Sequence, residues 1–346
     1  MNSINLDNKM NELHLFAGIG GGIYGGMLLG NKCVGAVEID SFCQDILRQR
    51  QKDGWMEKFP IEGDLTALSG VPYKGKFDLL CGGFPCQAFS TAARGRNIKD
   101  KDLWAEMLRF AEESEAPLVL GENVTRKAIE QAQEGLEEAK YSVVTLMLSN
   151  SKLGADHQRN RFWLLGVRKG REEVFFKLLR SLQEQPKISG DYWATNPKEL
   201  GEIPEPVKRR AELKGLGNAQ SPFVAASAVR ILANKLDKFL KNPESTKVRP
   251  TTLAPKPKEI ESVFQIKETW IKKENGIGFG FVHTPTTMAN YSAKSMMKHK
   301  GCRNFVTVFE TPQPYNAEWL MGFPIGASSN SKQSKANLKI WMESSK

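Results

Sequence analysis

Apolar and polar positions alternate in short blocks through the first 168 residues, with strand-like runs separated by segments of helical spacing. Glu12-Leu13-His14-Leu15-Phe16 reads as a short strand leading into a glycine-rich turn, and Cys33–Glu38 as a second strand. Phe42, Ile46 and Leu47 then recur at helical spacing, and the apolar run Phe77–Cys81 predicts a third strand. Leu103–Ala111 reads as a helix, Pro117–Leu120 as a strand, and Arg126–Lys140 as a helix that turns Ile129 and Leu136 inward. Tyr141–Leu148 and Arg161–Val167 complete the strand-like set. This alternation predicts an α/β fold, a mostly parallel sheet with helices on both faces. Ligands of such sheets bind at the carboxyl ends of the strands, where the glycine turn, Glu38 and Cys86 all fall.

Lys169–Glu205 begins as a helix, with Val174, Phe175, Leu178 and Leu179, then breaks up into proline, glycine and aromatic residues. Ser221–Leu240 is the clearest amphipathic helix, with Val224, Ala228, Ile231, Leu232 and Phe239 on or near one stripe. Residues 241–258, rich in proline and basic side chains, read as a linker. Beyond 259 the pattern is mixed. Glu318–Pro324 stands out as an apolar, ordered segment, and the last residues, rich in Ser, Lys and Asn, read as a frayed tail. No internal repeat is visible.

A chain of 346 residues suffices for one large domain and a smaller one. No apolar run is long enough to span a membrane, and the N-terminus lacks the apolar core of a signal peptide, so the sequence predicts a cytoplasmic protein with no membrane contact. The five cysteines form no Cys-x-x-Cys pair and have no histidine at zinc-ligand spacing, which predicts free thiols in a reducing compartment and no metal. Most of the net charge of +10 falls after residue 240, which points to a polyanionic partner.

Two short stretches carry the candidate chemistry. Gly82-Gly83-Phe84-Pro85-Cys86-Gln87 breaks the third strand and holds Cys86 at its end, an arrangement suited to a nucleophile. A lone cysteine there is also compatible with a small buried hydrophobe. Phe16-Ala17-Gly18-Ile19-Gly20-Gly21-Gly22 follows the first strand, and Gly20, Gly22 and Gly25 satisfy G-x-G-x-x-G. Glu38, ending the second strand, is placed to bind ribose hydroxyls. The loop and Glu38 suit NAD and S-adenosylmethionine equally.

Pro-Cys-Gln closely resembles the catalytic loop of the DNA (cytosine-5) methyltransferases, phage or bacterial type. Four other segments resemble that family in its order and at similar spacings. They are Phe16-x-Gly18-x-Gly20, Gly121-Glu122-Asn123-Val124, His157-x-Arg159-x-Arg161 and Leu216-Gly217-Asn218-Ala219, the last expected to open the long helix. His157 stands where the family has glutamine. The resemblance covers roughly residues 11–168 and 206–240. It implies a Rossmann-like S-adenosylmethionine-dependent methyltransferase sheet and transfer of a methyl group to C5 of cytosine in double-stranded DNA. Cys86 would add to C6 of a flipped base, and Glu122 would meet N3, its pKa raised by burial. Arg161 would bind the ring O2, and Arg159 would orient Glu122 or the loop. The implied cofactor residues are Phe16, Gly18, Gly20, Glu38, Ile39, Asp64, Leu65, Pro85, Leu103 and Asn218. Where Ile39 stands the family often has tryptophan.

The family's target-recognition domain normally fills the interval that is here only about residues 169–214, too short for a core of its own. The resulting expectation is a catalytic domain of 11–168 and 206–240, an insert of 169–205, a linker of 241–258, a basic DNA-recognition lobe of 259–330 and a tail of 331–346. Lys294, Lys298, Lys300 and Arg303 are candidates for phosphate contacts. A rival reading makes the extension a brace for the catalytic domain. A monomer is expected, with any cognate restriction endonuclease a separate chain. An RNA cytosine-5 methyltransferase and an NAD-dependent oxidoreductase are the alternative functions.

Overall fold

A computed structural model describes residues 9–85, 103–243, 253–265 and 313–346. Seven strands form one sheet in the order β3-β2-β1-β4-β5-β7-β6. They are β1 (Asn11–Leu15), β2 (Lys32–Val37), β3 (Ile61–Glu62), β4 (Leu79–Gly83), β5 (Leu118–Asn123), β6 (Tyr141–Leu148) and β7 (Arg161–Arg168). All neighbours pair parallel except that β7 runs antiparallel to both β5 and β6. The chain winds outward from β1 to β3 and then crosses to the other side of β1 to form β4. This reversal opens a crevice beyond the carboxyl ends of β1 and β4, the place where open α/β sheets bind ligands.

Period-two alternation sends the strands' side chains into two cores. Leu13, Leu15, Leu80, Val119 and Leu164 pack under α3 (Leu103–Glu113) and α4 (Arg126–Glu138). Leu79, Cys81, Leu118, Leu120, Trp163 and Leu165 face the opposite layer. That layer holds α1 (Gly21–Leu28), α2 (Ser41–Lys52), α5 (Glu172–Glu184) and the long α8 (Pro222–Lys241). Between α5 and α8 come β8 (Ile188–Ser189), α6 (Asp191–Ala194) and α7 (Arg209–Asn218).

The motif Leu216–Ala219 does not open the long helix. It closes α7, and α8 starts anew at Pro222, whose fixed φ and missing N–H suit the first turn of a helix. The intervening Ala219, Gln220 and Ser221 form the turn.

Four C-terminal elements return to this body. Leu253 accepts a hydrogen bond from Met147 of β6 at 2.8 Å, α9 (Pro257–Glu261) follows, and β9 (Phe264–Gln265) pairs with β8. Then α10 (Pro314–Met321) and α11 (Lys335–Ser344) pack on the layer of α1, α2 and α8. Residues 331–346, expected to fray, instead carry α11, with Trp341 fully buried edge-on to Tyr24 and Phe223. Ser334 caps that helix by accepting the N–H of Ala336. Buried Arg50 pairs with Asp53 at 3.0 Å and donates to the carbonyls of Gly326, Ser329 and Ser331. These contacts make 313–346 a brace on the sheet domain. Lys294, Lys298, Lys300 and Arg303 lie outside the described residues.

Candidate functional site

The loop after β1 is built for close approach. Phe16, Gly18 and Gly20 all take left-handed φ values, of 53°, 56° and 92°. Only glycine adopts that region freely, so Phe16 is held there by its surroundings. Glu38, 9% exposed at the end of β2, ties the loop down. Its Oε2 accepts the Gly18 N–H at 2.6 Å and its Oε1 the Asp40 N–H at 2.8 Å. Burial lifts its pKa, and these backbone donors oppose the lift. Asp40 caps α2 by accepting the N–H groups of Phe42 and Cys43, and Lys214 of α7 reaches its other oxygen at 3.3 Å.

Beyond these strand ends lies a cavity of about 570 Å³. Phe16, Gly18, Glu38, Ile39, Asp64, Leu65, Pro85, Leu103 and Asn218 all line it, nine of the ten residues expected to hold a cofactor. The tenth, Gly20, is the N-cap of α1 and packs toward Leu47 and Met56 instead. Asp64 serves twice. It lines the cavity, and its Oδ1 accepts from Thr66 N and Oγ1 at 2.9 and 2.8 Å, capping the turn after β3. Ile39 is 75% exposed at this wall, an apolar face open to a flat ligand.

The glycines of the G-x-G-x-x-G match do other work. None of Gly20, Gly22 and Gly25 lines the large cavity. A Cβ on Gly25 would strike Ala225 at 2.9 Å, so that glycine lets α1 and α8 pack closely. Close packing of α1 on α8 accounts for Gly25.

Glu122 ends β5 on the opposite wall of the same cavity, beside Asn123, Val124 and Arg161. Its carboxyl is buried, and burial raises its pKa against the pull of Arg161, Arg159 and a hydrogen bond from Gln220. Arg161 Nε stands 3.1 Å from Glu122 Oε1. The N–H is not aligned on that oxygen, which has no hydrogen-bond partner among the described residues. The contact is therefore a charge pair that leaves an acceptor unpaired. Burial lowers the pKa of Arg161, and Glu122 pulls it back up.

Arg159 does not touch Glu122 by hydrogen bond. Its Nη2 donates to the carbonyls of Gly217 and Ala219 at 2.9 and 2.8 Å, clamping the Gly-Asn-Ala turn, while its charge acts on Glu122 from a distance. His157, in the glutamine place, is fully buried with neither ring nitrogen partnered among the described residues. Burial first, then Arg159 and Arg161, push its pKa down to about 3. It is a neutral core imidazole.

Cys86 lies outside the described residues, and Pro85, the residue before it, lines the cavity. Asn123 holds this approach. Its Nδ2 donates to the Phe84 carbonyl at 2.9 Å and its Oδ1 accepts the Thr125 N–H at 3.0 Å. Gly83 leaves the space that Glu122 and Gln220 fill, since a Cβ there would meet Glu122 Oε2 at 2.9 Å and Gln220 Nε2 at 3.0 Å. Sequence reasoning singled out neither Asn123 nor Gln220 by role. Asn123 was legible from its place beside Glu122, whereas only the fold brings Gln220 to Glu122.

The donor set suits S-adenosylmethionine. A buried carboxylate stands at the second strand end, apolar Phe16, Ile39 and Leu65 can flank an adenine, and the volume falls in the range of small-molecule sites. A family model for C-5 cytosine-specific DNA methylases matches residues 10–307. M.Eco47II, a Type II methyltransferase of Escherichia coli, is 36% identical over 142 residues, 40% of this chain and 33% of that protein. M.DsaV, a Type II methyltransferase of Dactylococcopsis salina, is 30% identical over 194 residues, 52% of each chain. These matches span about a third to a half of the relatives' own lengths. A putative DNA modification methyltransferase encoded within an Escherichia coli prophage has a solved structure similar over 97% of this chain and 98% of that one, at 16% identity and a TM-score of 0.45.

Proposed function

The chain belongs to the C-5 cytosine-specific DNA methylase family, and from that premise we propose that it transfers a methyl group from S-adenosylmethionine to C5 of cytosine in double-stranded DNA. The observation that carries this reading is Glu122, a buried carboxyl of raised pKa with one unpaired oxygen. It shares a single cavity with Glu38 and with Pro85, the residue before Cys86 in the sequence.

Cytosine C5 is a weak nucleophile, and thiolate addition at C6 makes it enamine-like. Cys86 supplies that thiolate and later leaves by elimination as the C5 proton is lost. Glu122, protonated, donates toward N3 as negative charge builds on the ring. Arg161, at the cavity wall, stabilises charge at O2, while Arg159 keeps the Gly217–Ala219 turn against the site. Glu38 would hold the ribose of S-adenosylmethionine, with Phe16, Ile39, Asp64 and Leu65 around the adenine and Gly18, Pro85, Leu103 and Asn218 completing the site. When bound, that molecule supplies the electrophilic methyl group. The base must leave the duplex to reach this cavity, so flipping is part of the proposal.

DNA reading falls to the insert and to the basic stretch between β9 and α10, with Lys294, Lys298, Lys300 and Arg303 on phosphates. The protein would act as a monomer, and a cognate restriction endonuclease would be a separate chain. Tritiated-methyl transfer to DNA and to RNA, followed by bisulfite sequencing of DNA from expressing cells, tests the reading. Methylation of RNA alone, or no 5-methylcytosine, overturns it.

A further inference from the structure

Arg159 stands two residues before Arg161 in the sequence, yet only Arg161 lines the large cavity. The Arg159 side chain is 5% exposed, and its Nη2 donates to the carbonyls of Gly217 and Ala219 at 2.9 and 2.8 Å. Gly217 is in the last turn of α7 and Ala219 is its C-cap. Carbonyls at a helix C-terminus lack an intrahelical donor, and the helix dipole favours a cation there. Asn218, the residue between the two clamped carbonyls, lines the cavity together with Gly217.

The other side of the same segment presses on the cofactor loop. A Cβ on Gly215 of α7 would meet Ile19 Cγ2 at 2.8 Å, and one on Gly21 would overlap the Gln220 carbonyl oxygen. Ile19 lies between the left-handed Gly18 and Gly20, and Gly21 is the first residue of α1. Lys214, one position before Gly215, reaches Asp40 Oδ2 at 3.3 Å. The end of α7 is therefore held between the loop after β1 on one side and the Arg159 guanidinium on the other. Removing that guanidinium takes the donor from two carbonyls and frees Asn218 to move off the cavity.

We propose that Arg159 is a positioning residue of the cofactor site, acting through Asn218 to set the affinity for S-adenosylmethionine. The inference rests on the reading of the large cavity as the S-adenosylmethionine site. Arg159 thereby moves from the base side, where its place beside Arg161 in the sequence put it, to the cofactor side, where its hydrogen bonds go. Its charge still acts on Glu122 from a distance. Lysine keeps that charge and loses the planar fork of donors, so it is the replacement that separates the two roles.

The test is calorimetric titration with S-adenosylmethionine, without DNA, of the full chain and of Arg159→Lys, Asn218→Ala and the double variant, with thermal melting as the check on folding. Arg159→Lys should weaken binding by about tenfold, the worth of one hydrogen bond. Asn218→Ala, which leaves the clamp in place, should also weaken it. Adding Arg159→Lys to Asn218→Ala should cost less than about twofold more, because residues that act through one contact are not additive. In steady-state methyl transfer by Arg159→Lys, the KM for the cofactor should rise by about tenfold and kcat should fall by less. Unchanged affinity in either single variant overturns the proposal, as does full additivity in the double variant or a loss confined to kcat. If the parent binds no S-adenosylmethionine, the reading of the cavity falls. If the parent binds it and Arg159→Lys binds it equally well, that reading stands and the role of Arg159 falls alone.

Discussion

Replacing Glu122 with glutamine removes one titratable proton and almost no volume. In the parent, Arg161 Nε lies 3.1 Å from Glu122 Oε1. At an effective dielectric of about 20, an ionised carboxylate there gains about 5 kcal/mol from the guanidinium. Burial nonetheless wins, because the net shift of Glu122 is upward. The parent therefore carries a larger protonated fraction near neutral pH than an ordinary glutamate would. A general acid contributes about 10²- to 10⁴-fold, or about 3–5 kcal/mol of barrier. Glu122→Gln should lose that much in single-turnover methyl transfer with DNA and cofactor saturating. The parent rate should rise with pH as Cys86 becomes thiolate and fall as Glu122 ionises. The variant should keep the rise and lose the fall. A variant within about threefold of the parent, or one with the parent's alkaline limb intact, would refute the assignment of the acid.

Three further predictions follow from the same geometry. His157 titrates at about 3 in the fold against an ordinary 6.5, so the folded state binds its proton less tightly than the unfolded chain. The resulting stability is present above 6.5 and is lost as pH falls toward 3, on the order of 5 kcal/mol in all from burial first and from Arg159 and Arg161 after it. His157→Gln should flatten acid unfolding measured by denaturant titration across that window, and an unchanged acid dependence would show that His157 is not the group responsible. Ile39→Ala should weaken S-adenosylmethionine binding by about tenfold in calorimetry without lowering the melting temperature, because Ile39 is 75% exposed at the cavity wall. Equal affinities would remove Ile39 from the cofactor site. Trp341→Ala should cost about 3–5 kcal/mol in chemical denaturation, and a loss under about 1 kcal/mol would mean that α11 does not brace the sheet domain.

The strands that reach the cavity were readable because they are apolar runs that give way to Phe16, Glu38, Gly83 and Glu122, and each of these residues lines the cavity. Phe16, Glu38, Pro85 and Glu122 belong to four different strand ends, yet strand order alone brings them to one crevice. Gly217 and Asn218 line the large cavity, but their motif closes α7 instead of opening α8, since Pro222 restarts the backbone three residues after Ala219. Gln220 was invisible for a different reason. Its neighbours Gly22, Gly83 and Glu122 lie on α1, β4 and β5, and no local pattern announces a contact among them. The C-terminal helix was hidden by composition. Lys335, Lys339, Ser344 and Ser345 suggest a solvated end, while the single Trp341 anchors the helix in the core. The glycine fingerprint is ambiguous by itself, because close helix contact and phosphate binding demand the same residue.

The central claim is that Cys86 attacks the base held against Glu122. Duplex DNA carrying 5-fluorocytosine in place of cytosine tests it directly, because fluorine at C5 cannot leave as a proton does and the adduct cannot eliminate. With S-adenosylmethionine present, the account predicts a stable protein–DNA complex whose cross-linked peptide contains Cys86. Methyl transfer to ordinary cytosine with no trapped complex, or a complex formed through another residue, would contradict it.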